Sequence, residues 1–230
     1  MNDQNMIVNT INPERKWIYL IGGIASLTIG ILYIIIILLY SSVGVPPNGG
    51  EARLLYLVGK TTSWWAIVGV SVLTNFLYVF VSLSLYSALK HVNRLATLIG
   101  VVFINLFAIL ENAVNWTMYG ALIILSQGYA TAASESHRAI YISAATFASA
   151  VLESPLAAIW AIGTLSLGIL LIGFVMLKSE FSKLTAYIGI MTGILGIIAV
   201  AGVSIAIILN ALFATIWLFF VGYKLYRLSL

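Results

Sequence analysis

From Leu184 to Tyr226 the chain runs 43 residues with a single charge, Lys224, close to its end. One helix of that length would measure about 64 Å, roughly twice the hydrocarbon thickness of a bilayer. The stretch must therefore fold back, and Gly202-Val203-Ser204 is where its sequence best allows a turn. The rest of the chain has the same character. Hydrophobic residues make up 62% and charged residues 8%, too little charge to cover the surface of a water-soluble chain of this length. The apolar runs are continuous and about 20 residues or longer, which predicts membrane-spanning helices rather than the shorter alternating strands of a barrel.

The pattern predicts an all-α integral membrane bundle of six spans, at about 17–40, 62–88, 95–126, 155–177, 184–202 and 205–226. Residues 1–16 read as a cytoplasmic tail and 17–227 as a single transmembrane domain. The first span is longer than the ~7–15-residue core of a signal peptide and reads as uncleaved. Residues 51–60 read as a short surface helix after the turn-forming Pro46-Pro47-Asn48-Gly49-Gly50. Ser154-Pro155 offers a helix start, with serine as cap and proline at the first helical position. The third span, near 48 Å by the rise per residue, must tilt or protrude.

Basic residues supply the orientation. With six spans, Arg15, Lys16, Lys90, Arg94, Lys178, Lys183, Lys224 and Arg227 share one side, which is 8 of the 11 basic residues. The positive-inside rule makes that side, with both termini, cytoplasmic. A seventh crossing through 134–152 would reverse the bias, so 134–153 is expected as an interfacial helix on the opposite face. Glu153, beside Ser154-Pro155, is expected to face the dipole of the helix that starts there. Glu135, His137 and Arg138 read as a solvated loop. His91 with Lys90 and Arg94 reads as a cluster facing lipid headgroups.

The polar groups inside the spans are few. Glu111 lies near the middle of the third span, where an acidic side chain costs about 2.5–3.5 kcal/mol on insertion scales and is a functional candidate by default. Asn115 lies four residues on, on the same helical face. Asn105, Ala108, Asn112, Asn115 and Tyr119 make an adjacent stripe, and Asn75 and Asn210 are deep in the second and sixth spans. Together they could line a polar crevice with Glu111 as a proton or cation site; a protonated Glu111 could also donate a hydrogen bond. The alternative is that these groups only bond helices together. Small residues at four-residue spacing, Gly22, Ser26 and Gly30 in the first span and Gly189 and Gly193 in the fifth, predict close helix packing or an oligomer contact.

With no cysteine and only two histidines, in loops at opposite faces, the chain offers no thiolate chemistry and no bis-histidine haem site. No cofactor, metal site, catalytic set or nucleic-acid partner is expected. Its net charge of +4 belongs to the flanks of spans. The hairpin Leu89-Lys90…Arg94-Leu95-Ala96-Thr97-Leu98-Ile99-Gly100 is similar to Leu177-Lys178…Lys183-Leu184-Thr185-Ala186-Tyr187-Ile188-Gly189, as short basic hairpins often are.

Ser84-Leu85-Tyr86-Ser87-Ala88-Leu89-Lys90 with Arg94-Leu95-Ala96, the entry to the fifth span, and the ending Phe213…Ile216-Trp217-Leu218…Gly222-Tyr223-Lys224 carry a resemblance. In these the chain resembles the small prokaryotic multi-pass membrane proteins grouped as domain of unknown function 4386. The resemblance implies the fold and a prokaryotic plasma membrane, and it implies no site. The expectation that leads is a non-catalytic interaction or accessory component among membrane lipids, as a homo-oligomer or with a partner membrane subunit. A small-solute or proton-coupled transporter using Glu111 is the alternative, and an intramembrane lipid-modifying enzyme the third.

Overall fold

The computed structural model describes residues 13–230 and is 87% helix, with no strand among the described residues. The helices are α1 (Pro13–Val43), α2 (Gly50–Leu57), α3 (Thr61–Leu89), α4 (Arg94–Thr131), α5 (Glu135–Glu153), α6 (Pro155–Met176), α7 (Lys183–Val200) and α8 (Ser204–Ser229). Six of them, α1, α3, α4, α6, α7 and α8, are long and apolar enough to cross a membrane. Of the tail read over 1–16, residues 1–12 lie outside the described residues, and α1 is already helical from Pro13.

The six long helices form a closed ring in chain order. Each packs on its sequence neighbour, and α8 returns to α1. The fold-back expected near Gly202 is present: α7 ends at Val200, Gly202 takes φ +94° and α8 begins at Ser204. Only glycine adopts that φ without strain, so the turn is fixed by one residue. The two similar hairpins share a device. Asn93 accepts from the Ala96 amide at 3.0 Å and Ser182 from the Thr185 amide at 3.0 Å, each capping the helix that follows. The two ends of the described chain also meet, with Lys16 Nζ donating to the Leu230 carbonyl at 3.1 Å. Tyr19 against Ser87 and Gly100 against Ile172 place the basic hairpins at this same end.

At that end the ring closes on small residues. A Cβ on Gly23 would stand 2.8 Å from the backbone nitrogen of Tyr226. Gly22 lies on Ser84, and Gly30 lies on the Phe219 ring. Ser26 Oγ donates to the Leu218 carbonyl at 2.7 Å. Gly189 packs on the Trp217 indole, and Gly193 on Leu170 and the Ser166 carbonyl. The small-residue faces read from the sequence thus pack against other helices of the same chain.

The opposite end carries a cap. Helices α2 and α5 pack on each other and on the C-terminal part of α4, with Gly50 against Thr146. This accounts for the length of α4, which continues to Thr131 instead of ending near 126. The surface helix expected at 51–60 runs over 50–57 and turns its arginine inward: Arg53 is 4% exposed, with Nε donating to the Pro47 carbonyl at 3.1 Å. Its partner corrects the reading of Glu153. That residue ends α5 instead of starting the next helix; it pairs with Arg53 at 3.2 Å and accepts from the Gly49 amide at 2.9 Å. Ser154 does cap α6, as expected. Glu135, His137 and Arg138 are exposed but helical, in the first turn of α5 capped by Ser134.

Candidate functional site

The apolar packing is divided in two. One cluster fills the basic end, through Tyr78, Ile104 and Trp217, and the other fills the cap end, through Leu54, Trp64 and Leu122. A cavity of about 260 Å³ lies where they meet. Five of the six ring helices line it; α7 does not.

An aromatic layer bounds the cavity on each side. Toward the basic end, the Tyr33 and Tyr78 hydroxyls are 3.0 Å apart and Tyr78 meets Phe107 edge-on at 5.6 Å. Toward the cap, Tyr40 meets Trp64 edge-on at 5.6 Å, Trp64 stacks on Tyr119 at 5.0 Å, and Tyr119 tilts against Trp116 at 5.6 Å. Tyr33, Phe107, Tyr40 and Trp116 line the cavity directly. Tyr33 and Tyr40 are two helical turns apart, which sets the layers about 10 Å from each other along the bundle.

Between the layers is the polar wall. Glu111, 9% exposed, projects from α4, with Ser71, Thr74 and Asn75 from α3 and Asn210 and Thr215 from α8. The α4 backbone widens here: Glu111–Trp116 is π-helical, and so is Ile159–Gly163 in α6, with which it is in contact. Such segments loosen the turn and frequently mark functional sites. A threonine follows each and satisfies a carbonyl within it, Thr117 to Asn112 at 2.9 Å and Thr164 to Trp160 at 2.6 Å. Both widened segments put residues into the cavity, Glu111 and Trp116 from one and Ala161 and Ile162 from the other.

The five residues singled out in the sequence divide into roles. Glu111, Asn75 and Asn210 come together at the cavity. Asn115 stands behind Glu111, its Nδ2 donating to Oε2 at 2.5 Å. Asn112 accepts from Asn75 Nδ2 at 2.8 Å and lies on the outer side of α3 and α4, away from the central cavity. Asn210 Nδ2 donates to the Thr192 carbonyl at 2.7 Å and so ties α8 to α7. Asn105 bonds Ser82 at 2.9 Å and serves packing. The sequence reading passed over Ser71, Tyr33 and Trp116, and Tyr40, expected as an interfacial aromatic, lines the cavity instead. A signal for them exists in the spacing: Trp64, Ser71 and Tyr78 repeat every seven residues, as do Tyr33 and Tyr40, and this sets each group on one helical face.

Hydrogen bonding in the site is incomplete. Ser71 Oγ, Asn115 Oδ1 and Trp116 Nε1 are buried and have no partner among the described residues. Buried polar atoms are rarely left so, because each costs about 1–3 kcal/mol unpaired. Two of the three, on Ser71 and Trp116, belong to residues that line the cavity with Glu111, and the third belongs to the residue that bonds Glu111 from behind.

Comparisons with known protein families, with curated proteins and with solved structures find no match to this chain.

Proposed function

We propose that this protein is a small-solute carrier of a prokaryotic cytoplasmic membrane, with the Glu111 carboxyl as its proton-exchanging binding group. Both termini and the basic hairpins lie on the cytoplasmic side in this reading, from the positive-inside bias, and the prokaryotic setting follows the resemblance stated above. The observation that carries it is the cavity at the level of Glu111 with unpaired polar atoms in its walls. Glu111 is paired with Asn115, but it also lines the cavity, which a carboxyl needed only to bond helices together would not do. The accessory reading drew on the absence of a catalytic set, on short loops and on small-residue faces; the last of these pack within the chain. The lipid-modifying reading requires convergent reactive groups, whereas Asn115 is held as a donor to Glu111.

Purified protein in liposomes should move protons when a transported solute is supplied, and Glu111→Gln should remove that flux while the protein stays folded. Absence of flux over a broad solute panel would remove the basis for the carrier reading.

A further inference from the structure

The chemistry of the cavity walls narrows what the chamber accepts, and this step rests on the solute-site reading. Glu111 is the single ionisable acid or base among the lining residues apart from the two tyrosines; no lysine, arginine or histidine reaches the chamber. The sole formal charge available there is negative, in a place where water is scarce and a charge requires a partner. Unpaired polar groups stand beside it. Ser71 Oγ, on a residue 4% exposed and lining the chamber, has no partner among the described residues and can accept from an ammonium. The Trp116 N–H, also unpaired, can only donate.

Size and shape add to this. A cavity of about 150 Å³ holds a benzene ring, so one of about 260 Å³ admits a molecule of roughly a dozen non-hydrogen atoms. That is far more room than a bare ion needs. A metal ion would also want several oxygen ligands at close range, and among the described residues no three acidic or histidine side chains converge. The aromatic layers on both sides suit a cation with an apolar body, since ring faces attract positive charge.

We propose that the chamber binds a small, singly charged organic amine in its protonated form. Glu111 is the counter-ion, Ser71 Oγ accepts from the ammonium, and Tyr33, Tyr40 and Trp116 enclose the apolar body.

The test uses the full-length protein in lipid nanodiscs at neutral pH, followed by tryptophan fluorescence, because Trp116 lines the chamber. Three probes are titrated: cyclohexylmethylamine hydrochloride, the neutral cyclohexylmethanol, and sodium chloride. The expected result is saturable binding of the amine, with the alcohol about thirtyfold weaker or worse, the low end of losing a buried charge partner. Glu111→Gln should erase that preference in the same bilayers. Should Glu111→Gln fail to fold, Ala211→Leu, which narrows the chamber from α8 with the carboxyl intact, must abolish saturable amine binding. Equal binding of alcohol and amine, an amine preference that survives Glu111→Gln, or amine binding unchanged in Ala211→Leu overturns the assignment of an amine and leaves a solute site standing. Competition by sodium at equal concentration overturns it in favour of an inorganic cation. No saturable binding of any probe, together with no Glu111-dependent flux in liposomes, overturns both the amine and the solute site.

Discussion

Asn115 holds Glu111 from one turn away, its amide nitrogen 2.5 Å from the carboxylate oxygen, while its own carbonyl oxygen has no donor. The pair is half of an incomplete network, and the two halves should respond differently to mutation. Asn115→Ala removes a buried donor from Glu111 and should lower stability by about 1–2 kcal/mol. Glu111→Gln keeps the shape and supplies an amide N–H that the Asn115 oxygen can accept, so its melting temperature should stay at or above that of the wild type. A thermal melt in detergent compares the two. A Glu111→Gln protein less stable than Asn115→Ala would mean that the carboxyl is there for packing.

Gly23 and Gly69 offer a test of how α1 and α8 meet. A Cβ on Gly23 would press on the Tyr226 backbone, which cannot step aside, whereas one on Gly69 meets nothing within 4 Å. Gly69→Ala should be neutral or stabilising by up to about 1 kcal/mol, the helix-propensity gain. Gly23→Ala should lower the melting temperature markedly, because α1 and α8 must move apart there. Equal melting temperatures would show that α1 and α8 are not in register as described.

The fold could be read further from the sequence than the site could. The six spans, the turn at Gly202, the cap at Ser154 and the i, i+4 pairing of Glu111 with Asn115 all follow from hydropathy, turn chemistry and helical period, which are local. What escaped is non-local. Nothing adjacent in the chain announces that Glu111–Trp116 is π-helical, and the wider turn brings Glu111 and Trp116, five residues apart, to the same cavity. Glu153 was placed by its neighbour Ser154, yet its role is set by Arg53, a hundred residues earlier in the chain.

The Arg53–Glu153 pair leads to a prediction about the cap. Arg53 is buried, and among the described residues its Nη1 has no partner and Glu153 is its one ion-pair contact. Glu153→Gln leaves a buried guanidinium without its counter-charge and should cost about 1–3 kcal/mol. Proteolysis of the 44–60 segment should quicken in this variant, since α5 no longer holds the Gly49 amide and Arg53 together. Unchanged proteolysis would show the cap to be held by its apolar contacts alone.

Asn75 and Asn112 bond at 2.8 Å between α3 and α4. A double-mutant cycle with Asn75→Ala and Asn112→Ala should give a coupling near 0.6 kcal/mol, the average for such contacts in membrane helices. Of the two single changes, only Asn75→Ala should also alter solute binding, because Asn75 reaches the central cavity and Asn112 does not. Equal effects on binding would contradict the division of roles between them.

The chain has no cysteine, so a single introduced thiol reports cleanly on the chamber. Ala211 lines the cavity, and Ala186 is fully buried in the basic-end core. The decisive measurement is the rate at which 2-aminoethyl methanethiosulfonate, a small ammonium reagent, labels Ala211→Cys and Ala186→Cys in the bilayer. Fast labelling of Ala211→Cys, slowed when Glu111→Gln is added, is the result expected of a chamber that a small ammonium can enter past an acidic wall. Labelling of Ala211→Cys no faster than that of Ala186→Cys would contradict it and return Glu111 to a packing role.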